Sequence, residues 1–279
     1  MERIRRSWHL VRASWAVLRQ NWSLLRFPLV ASVLSTIVAL LAIGLLWGPG
    51  ITENDMASTD DAGTSLLTYV GVFVLYLVLS FVVVYCNTAL TSLVLARFAG
   101  REPGGDAGWS AANRRWKQVL GWSAISATVG VLLSVLRDRG RAGGFAAAIG
   151  GEAWSLATFL VIPVLVIEDI QPITAAKRSA SLLKRTWGEQ IVGTAGLGLV
   201  TGLVTLVVVL IGGGIVWLAV STGHTAAVVA AVIPVVLALI ALNSALGTIY
   251  RAAVYQYATG QPVAGFGEPD LLNDAFTRS

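Results

Sequence analysis

The sequence predicts an all-α protein, a polytopic transmembrane helical bundle of about six spans with amphipathic helices at its cytoplasmic interface. Of its 279 residues, 56% are hydrophobic and only 13% are charged, and the mean hydropathy is +0.74. Soluble domains carry about 25% charged residues, because their surfaces must face water. The few charges are confined between long uncharged segments, and most of the basic ones fall on one predicted side. The composition therefore indicates a chain that is solvated by lipid.

The spans follow from the uncharged segments. No Asp, Glu, Lys or Arg occurs in 27–47, 62–96, 118–136, 153–167 or 190–250. A span needs about 20 apolar residues to cross about 30 Å of hydrocarbon. The last segment is long enough for two spans, and residues 221–224 supply a turn between them. The predicted spans are 27–47, 66–96, 119–137, 145–167, 191–220 and 225–251.

The third and fourth spans are the least secure part of this prediction. The fourth must extend back past Glu152 to reach full length. A re-entrant hairpin over 119–167 is the alternative, and it leaves both chain ends on the same side of the membrane. Around this bundle, taken as residues 27–255, we expect an N-terminal interfacial helix at 1–26 and a cytoplasmic tail at 256–279.

The basic residues predict the orientation. Cytoplasmic loops of membrane proteins carry an excess of Lys and Arg. With the N-terminus inside, 17 of the 20 basic residues are cytoplasmic, and only Arg137, Arg139 and Arg141 lie outside. The sequence therefore predicts a multi-pass protein of the cell inner (plasma) membrane whose N- and C-termini are both cytoplasmic.

Three consecutive heptads precede the first span. Residues 5–25 read RRSWHLV, RASWAVL and RQNWSLL, so Trp and apolar residues recur at alternating spacings of three and four, which is typical of one helix face. That face comprises Trp8, Val11, Trp15, Leu18, Trp22 and Leu25, and Arg5, Arg12 and Arg19 border it. Trp favours the membrane interface, and Arg beside it reaches the headgroups. We interpret 1–26 as an interfacial helix that ends in a bend at Pro28; a coiled-coil seam is the alternative.

A second amphipathic helix is predicted at 172–187. Pro172 suits a first helical turn and Gly188 a helix stop. The predicted apolar face comprises Ile173, Ala176, Ala180, Leu183 and Trp187, and the basic residues around it are Lys177, Arg178, Lys184 and Arg185. Glu168 and Asp169, just before this helix, are interpreted as a cap or as salt-bridge partners of the helix rather than as catalytic or metal-binding groups.

The spans offer little reactive chemistry. One Cys and two His leave no metal-ligand spacing and no Ser/His or paired-carboxylate arrangement, so we predict no catalytic, metal or cofactor site and no enzymatic activity. Small residues are frequent instead. Gly44-x-x-x-Gly48 and Gly198-x-x-x-Gly202 permit close helix approach. Polar residues such as Asn87 are candidates for hydrogen bonds between helices.

Three stretches carry a family resemblance. They are the Trp-containing N-terminal helix that ends in Arg-Phe-Pro-Leu at 26–29, the block ATFLVIPVLVIEDIQPITAAKRSASLLKRTWGEQ at 157–190, and the tail YRAAVYQYATGQPVAGFGEPDLLNDAF at 250–276. Together they resemble an uncharacterised family of prokaryotic six-span membrane proteins, known only as a domain of unknown function. The middle block is also faintly similar to membrane domains found beside glycerophosphodiester phosphodiesterases. The resemblance implies an all-helical membrane fold and no assigned activity.

These patterns favour a non-enzymatic bundle that organises membrane lipids or partner proteins at the cytoplasmic leaflet. The alternative is a transporter or channel for a small neutral or lipidic solute, which the glycine- and proline-interrupted spans suggest. Expected partners are membrane lipids, anionic ones included, and a protein partner or a second copy, but not nucleic acid. The candidate lipid-interface residues are Arg5, Trp8, Arg12, Trp15, Arg19, Trp22, Lys177, Arg178, Lys184 and Arg185.

Overall fold

The computed structural model describes residues 14–46, 62–187, 213–214 and 225–261, and within these ranges the chain forms helices and turns but no strand. The predicted fold class, an all-α transmembrane bundle, is confirmed. Five helical segments are long and apolar enough to cross a membrane: Trp22–Leu45, Val70–Phe98, Trp116–Arg137, Gly140–Glu168 and Val232–Ala258. They correspond to five of the predicted spans. The span predicted at 191–220, like residues 1–13 and the tail after 261, lies outside the described residues.

Residues 14–20 are helical and lead through Asn21 into a short 3₁₀ helix, Trp22–Leu25. The helices that follow are α1 (Arg26–Leu46), α2 (Ala62–Phe98), α3 (Ala107–Arg114), α4 (Trp116–Arg137), α5 (Gly140–Ala157), α6 (Val161–Glu168), α7 (Pro172–Trp187) and α8 (Thr225–Ala258).

Helix α2 is the centre of the described bundle, and it packs against α1, α3, α4, α6 and α8. Its 37 residues make it about 55 Å long, well beyond the hydrocarbon thickness. The two halves of α2 differ in burial. Val70, Val74 and Val78 are exposed, whereas most of the stretch from Val84 to Phe98 is buried. The helix therefore joins a lipid-facing half to a half that is enclosed by protein.

The buried core lies at one end of the bundle, which we call the packed end. There α1 begins, α2 ends, and the last turns of α8 lie beside α6 and α7. The largest fully buried side chains mark it: Leu18, Leu24, Phe27, Leu90, Val94, Val119, Leu160, Val161, Leu165, Leu182, Ile249 and Tyr255. Leu18 and Leu24 belong to this core, so the segment before α1 packs onto the bundle. The opposite end, where residues 138–139 join α4 to α5, we call the far end.

The entry into the first span differs from the predicted geometry. The helical segment 14–20 stops at Asn21, whose backbone is non-helical with φ −142° and ψ 64°. Its amide N–H donates to the Leu18 carbonyl at 2.9 Å, and its side-chain amide donates to the Val17 carbonyl at 3.3 Å. Pro28 lies in the first turn of α1, where a missing N–H breaks no helical bond. The bend predicted at Pro28 is therefore wrong, and it occurs at Asn21.

The fourth span is interrupted rather than continuous. Helix α5 ends at Ala157, and residues 158–160 form turns before α6 begins. The hydroxyl of Thr158 donates to the Trp154 carbonyl at 2.7 Å. The amide N–H of Leu160 donates to the hydroxyl of Ser179 in α7 at 2.9 Å, and both residues are fully buried. Helix α7 therefore supplies the acceptor that this break in the helix requires.

Interhelical contacts include one that was predicted and one that was not. The hydroxyl of Thr248 in α8 donates to the side-chain carbonyl of Asn87 in α2 at 3.4 Å, which confirms an interhelical bond for Asn87. Gly44 has no neighbour within 4 Å of where a Cβ would lie, so the close approach expected there is not seen among the described residues. The tight positions are Gly108 in α3, where a Cβ would meet the Phe27 ring, and Gly143 in α5, where a Cβ would clash with the Leu136 carbonyl of α4.

Candidate functional site

The N-terminal segment presents two different faces. Val17, Leu18 and Leu24 are buried in the core, while Trp15 is 38% and Trp22 56% exposed. The two indole rings meet edge to face, with centroids 6.0 Å apart, and Arg19 between them in sequence is also exposed. The prediction of a single apolar face is therefore wrong. Leu18 is buried in the bundle, whereas Trp15 and Trp22 are exposed, as is Arg19. Arg5, Trp8 and Arg12 lie outside the described residues.

Helix α7 has the predicted bounds but a rotated buried face. Its core-facing residues are Ala175, Ser179, Leu182 and Leu183. Of the predicted apolar face, Leu183 is buried, Ala176 and Ala180 are half-buried, and Ile173 is 62% exposed. The rotation has a physical cause, since Ser179 must face the Leu160 amide. Lys177, Lys184 and Arg185 are exposed on the outer side of the helix.

Glu168 is held by two other helices. The Nε of Arg178 in α7 donates to both carboxylate oxygens, at 3.1 and 3.2 Å. The hydroxyl of Tyr255 in α8 donates to Oε1 at 3.3 Å. The predicted salt bridge between Glu168 and the following basic helix is confirmed. Arg178 is therefore committed to this cluster of Glu168, Arg178 and Tyr255, unlike its exposed neighbours.

Asp169 is partnered from α4 instead. It ends α6 in the left-handed conformation, with φ +48°. Gln118 donates to its Oδ1 at 3.2 Å, and the Nε of Arg115 lies 3.8 Å from the same atom. The Nε of Arg115 also donates to the Leu165 carbonyl at 3.2 Å, one of the last four carbonyls of α6, which lack a partner within the helix. These contacts close the C-terminus of α6.

A shallow recess adjoins this helix end. It has a volume of about 290 Å³ and is lined by Lys117, Gln118, Asp169, Ile170, Gln171 and Pro172. An enzyme would cluster Glu152, Glu168 or Asp169 with other polar groups in one cleft. Asp169 lines this recess, Glu168 is turned to Arg178 and Tyr255, and Glu152 is exposed on α5. Among the described residues, no group of three His, Cys, Asp or Glu side chains is arranged to hold a metal.

Two arginines at the packed end were not singled out by sequence reasoning. Nε and Nη2 of Arg26, and Nη1 of Arg97, are buried and have no hydrogen-bond partner within the described part of the chain. Both residues border an uncharged segment, which is why the sequence suggests only an orientation role for them. Burial without an acceptor is visible only in three dimensions.

Comparison with known proteins identifies a family. The model of a family described as "Family of unknown function (DUF6159)" matches residues 66–266, well over half of the chain. No curated protein and no solved structure matches the sequence. The similarity of the block 157–190 to membrane domains beside glycerophosphodiester phosphodiesterases is therefore not supported.

Proposed function

This chain belongs to DUF6159, a family of unknown function. From its own residues, we propose that it is a non-enzymatic, membrane-organising bundle whose cytoplasmic face binds anionic lipid. The observation that carries the proposal is the outward pair of tryptophans with Arg19. Trp15 and Trp22 leave the protein core although Leu18 and Leu24 of the same segment enter it.

Large aromatic side chains in this position need an environment other than water. Moving a Trp side chain from water into an apolar medium lowers the free energy by about 25 cal/mol for each Å² of apolar surface that is buried, or several kcal/mol in all. Trp prefers the headgroup region, where its ring meets acyl chains and its N–H meets polar groups. Arg19 beside the rings matches the negative charge of anionic headgroups.

Helix α7 adds basic charge to the same end of the bundle. Lys177, Lys184 and Arg185 are exposed, and the helix packs against α4, α5, α6 and α8. The excess of basic residues on this side supports a cytoplasmic location in the inner (plasma) membrane, with both termini inside. Each Lys or Arg near an anionic leaflet contributes about 1 kcal/mol of attraction.

The proposal predicts that Arg5→Gln, Arg12→Gln and Arg19→Gln together weaken lipid retention. The full chain is purified in mild detergent from the same membranes as the wild type, and co-purified lipids are identified by native mass spectrometry. Since each arginine contributes about 1 kcal/mol near the headgroups, we expect retained anionic phospholipid to fall at least fivefold, while zwitterionic lipid changes little.

The matched control removes three arginines at the far end, with Arg137→Gln, Arg139→Gln and Arg141→Gln. It changes the net charge by the same amount and should leave the retained lipids unchanged. Equal retention in the N-terminal variant and the wild type would sink the proposal, as would equal losses in the two triple variants.

A further inference from the structure

We propose that Arg26 and Arg97 form a binding site for a phosphate group at the packed end of the bundle. The inference rests on the proposed function and deepens it by naming the chemical group and the two side chains that hold it. It concerns a single discrete site, whereas the N-terminal segment and α7 present a broad surface.

Arg26 lies against Phe27 and against the connection between α2 and α3. Its guanidinium carbon lies 4.7 Å from the ring centroid of Phe27, which is fully buried and packs on Trp109 with centroids 4.6 Å apart. A Cβ placed on Gly105 would lie 2.8 Å from Nη1 and 3.0 Å from Nη2 of Arg26. The guanidinium therefore lies beside the connection between α2 and α3.

The free nitrogens of Arg26 form one donor edge. Nε and Nη2 are both buried without a partner, and in a guanidinium the N–H bonds of these two atoms point the same way. That edge makes the bidentate contact with two oxygens of a phosphate or carboxylate. The two donors without a partner therefore form one bidentate edge of the guanidinium.

Arg97 borders the same connection. It lies in the last turn of α2, one turn after Leu93. A Cβ on Gly108 would lie 2.8 Å from the Phe27 ring and 3.1 Å from the side chain of Leu93. Phe27, which follows Arg26, and Leu93, which precedes Arg97 by one turn, therefore both lie close to Gly108. The Nη1 of Arg97 is buried without a partner as well. Two cations therefore flank residues 99–106 with unused donors.

Protein carboxylates do not neutralise this pair within the described ranges. Glu102 and Asp106 on the connection are exposed, and the ion pairs that the described residues form go to Arg115 and Arg178. A charged donor that is buried without an acceptor destabilises the protein, because it has lost its hydrogen bonds to water and gained none in return. An external anion relieves this cost.

Depth in the membrane selects the anion. Arg26 lies near the start of the first candidate span, Trp22–Leu45, and Arg97 is the penultimate residue of the second, Val70–Phe98. The ends of spans coincide with the headgroup layer, where lipid phosphates lie. The shared chemistry is a phosphate group, which either a lipid headgroup or free inorganic phosphate supplies.

The test uses the delipidated full chain in detergent and three probes: short-chain phosphatidylglycerol, short-chain phosphatidylcholine and inorganic phosphate. Native mass spectrometry counts bound molecules, and thermal unfolding reports the stabilisation on titration. We expect one saturable phosphate-bearing molecule per chain, bound at least tenfold more weakly after Arg26→Gln or Arg97→Gln. Arg26→Lys keeps the charge but loses the fork, so we expect an intermediate loss.

Arg101→Gln is the matched control, because Arg101 lies exposed on the same connection; its affinity should equal that of the wild type. Should Arg26→Gln fail to fold, Arg97→Gln and Arg26→Lys still decide the question. Variant-dependent binding of either lipid identifies a headgroup, and that of inorganic phosphate alone identifies a free anion; both support the site. Binding of no probe at one per chain, or equal binding by wild type and both arginine variants, overturns it.

The two proposals fail separately. Unchanged lipid retention in the Arg5, Arg12 and Arg19 triple variant, with a one-per-chain molecule that is lost in Arg97→Gln, would overturn the proposed function alone. Reduced retention in that triple variant, with one-per-chain binding that is equal in the wild type and in Arg97→Gln, would overturn the phosphate site alone.

Discussion

At the scale of single residues, Gly108 shows how closely three helices meet. A Cβ there would lie 2.8 Å from the ring of Phe27 in α1 and 2.9 Å from the backbone carbonyl of Ala89 in α2. A ring tip can move, but a backbone carbonyl inside a helix cannot do so cheaply. The absence of a side chain at Gly108 therefore allows α3 to seat against α1 and α2.

Gly108→Ala should destabilise the protein by about 1–3 kcal/mol, because overpacking a tight contact forces neighbours apart. The measurement is unfolding in a denaturing-detergent titration or by heat. Gly44→Ala serves as the control, since nothing lies within 4 Å of its Cβ position and Ala favours a helix over Gly. Equal stability of the two variants would show that α3 adjusts freely.

At the scale of secondary-structure elements, polar contacts tie α6, α7 and α8 together. Glu168 accepts hydrogen bonds from Arg178 and Tyr255, and Ser179 accepts one from the amide of Leu160. The two contacts use Arg178 and Ser179, which are consecutive residues of α7. The side chains of Arg178 and Glu168 are 40% and 24% exposed, so water screens the pair in part. The cluster therefore sets the position of α7 more than it adds to overall stability.

A double-mutant cycle of Glu168→Gln and Arg178→Gln should give a coupling free energy of about 0.5–1.5 kcal/mol, which is the range for a charged hydrogen bond after discounting for exposure. The readout is the free energy of unfolding of the four proteins. The comparison cycle pairs Glu168→Gln with Lys184→Gln, and exposed Lys184 should show coupling near zero. Similar coupling in both cycles would mean that only general charge matters.

At the scale of the whole molecule, burial is uneven along the membrane normal. The packed end holds the core, while large apolar side chains toward the far half are exposed, among them Leu40, Leu41, Leu45 and Leu132. Such a surface would be a liability in water but is ordinary in hydrocarbon. The extended helices α2 and α8 thus pass from a lipid-solvated half into a protein-enclosed half.

Orientation is testable with single cysteines in a Cys86→Ala background, since Cys86 is 2% exposed. Arg139→Cys and Arg185→Cys place a thiol at the far end and on α7, where both native residues are exposed. A membrane-impermeant maleimide should label Arg139→Cys in intact cells and Arg185→Cys only after permeabilisation. The reverse pattern would place the packed end outside the cell and contradict a cytoplasmic lipid-binding face.

The sequence by itself determined the fold class and, closely, the bounds of α1, α4 and α7. These depend on local properties: the length of an uncharged segment against the hydrocarbon thickness, and Pro172 at a helix start. Part of the candidate site was equally local, such as the pairing of Glu168 with the basic helix after it.

Tertiary structure alone decided which faces are buried, the breaks at Asn21 and at 158–160, and the unpartnered donors of Arg26 and Arg97. Each of these depends on neighbours distant in the chain: the core that buries Leu18 but not Trp15, the hydroxyl of Ser179 that accepts from the Leu160 amide, and the connection at Gly105 that lies beside Arg26. No periodicity in the sequence specifies those partners.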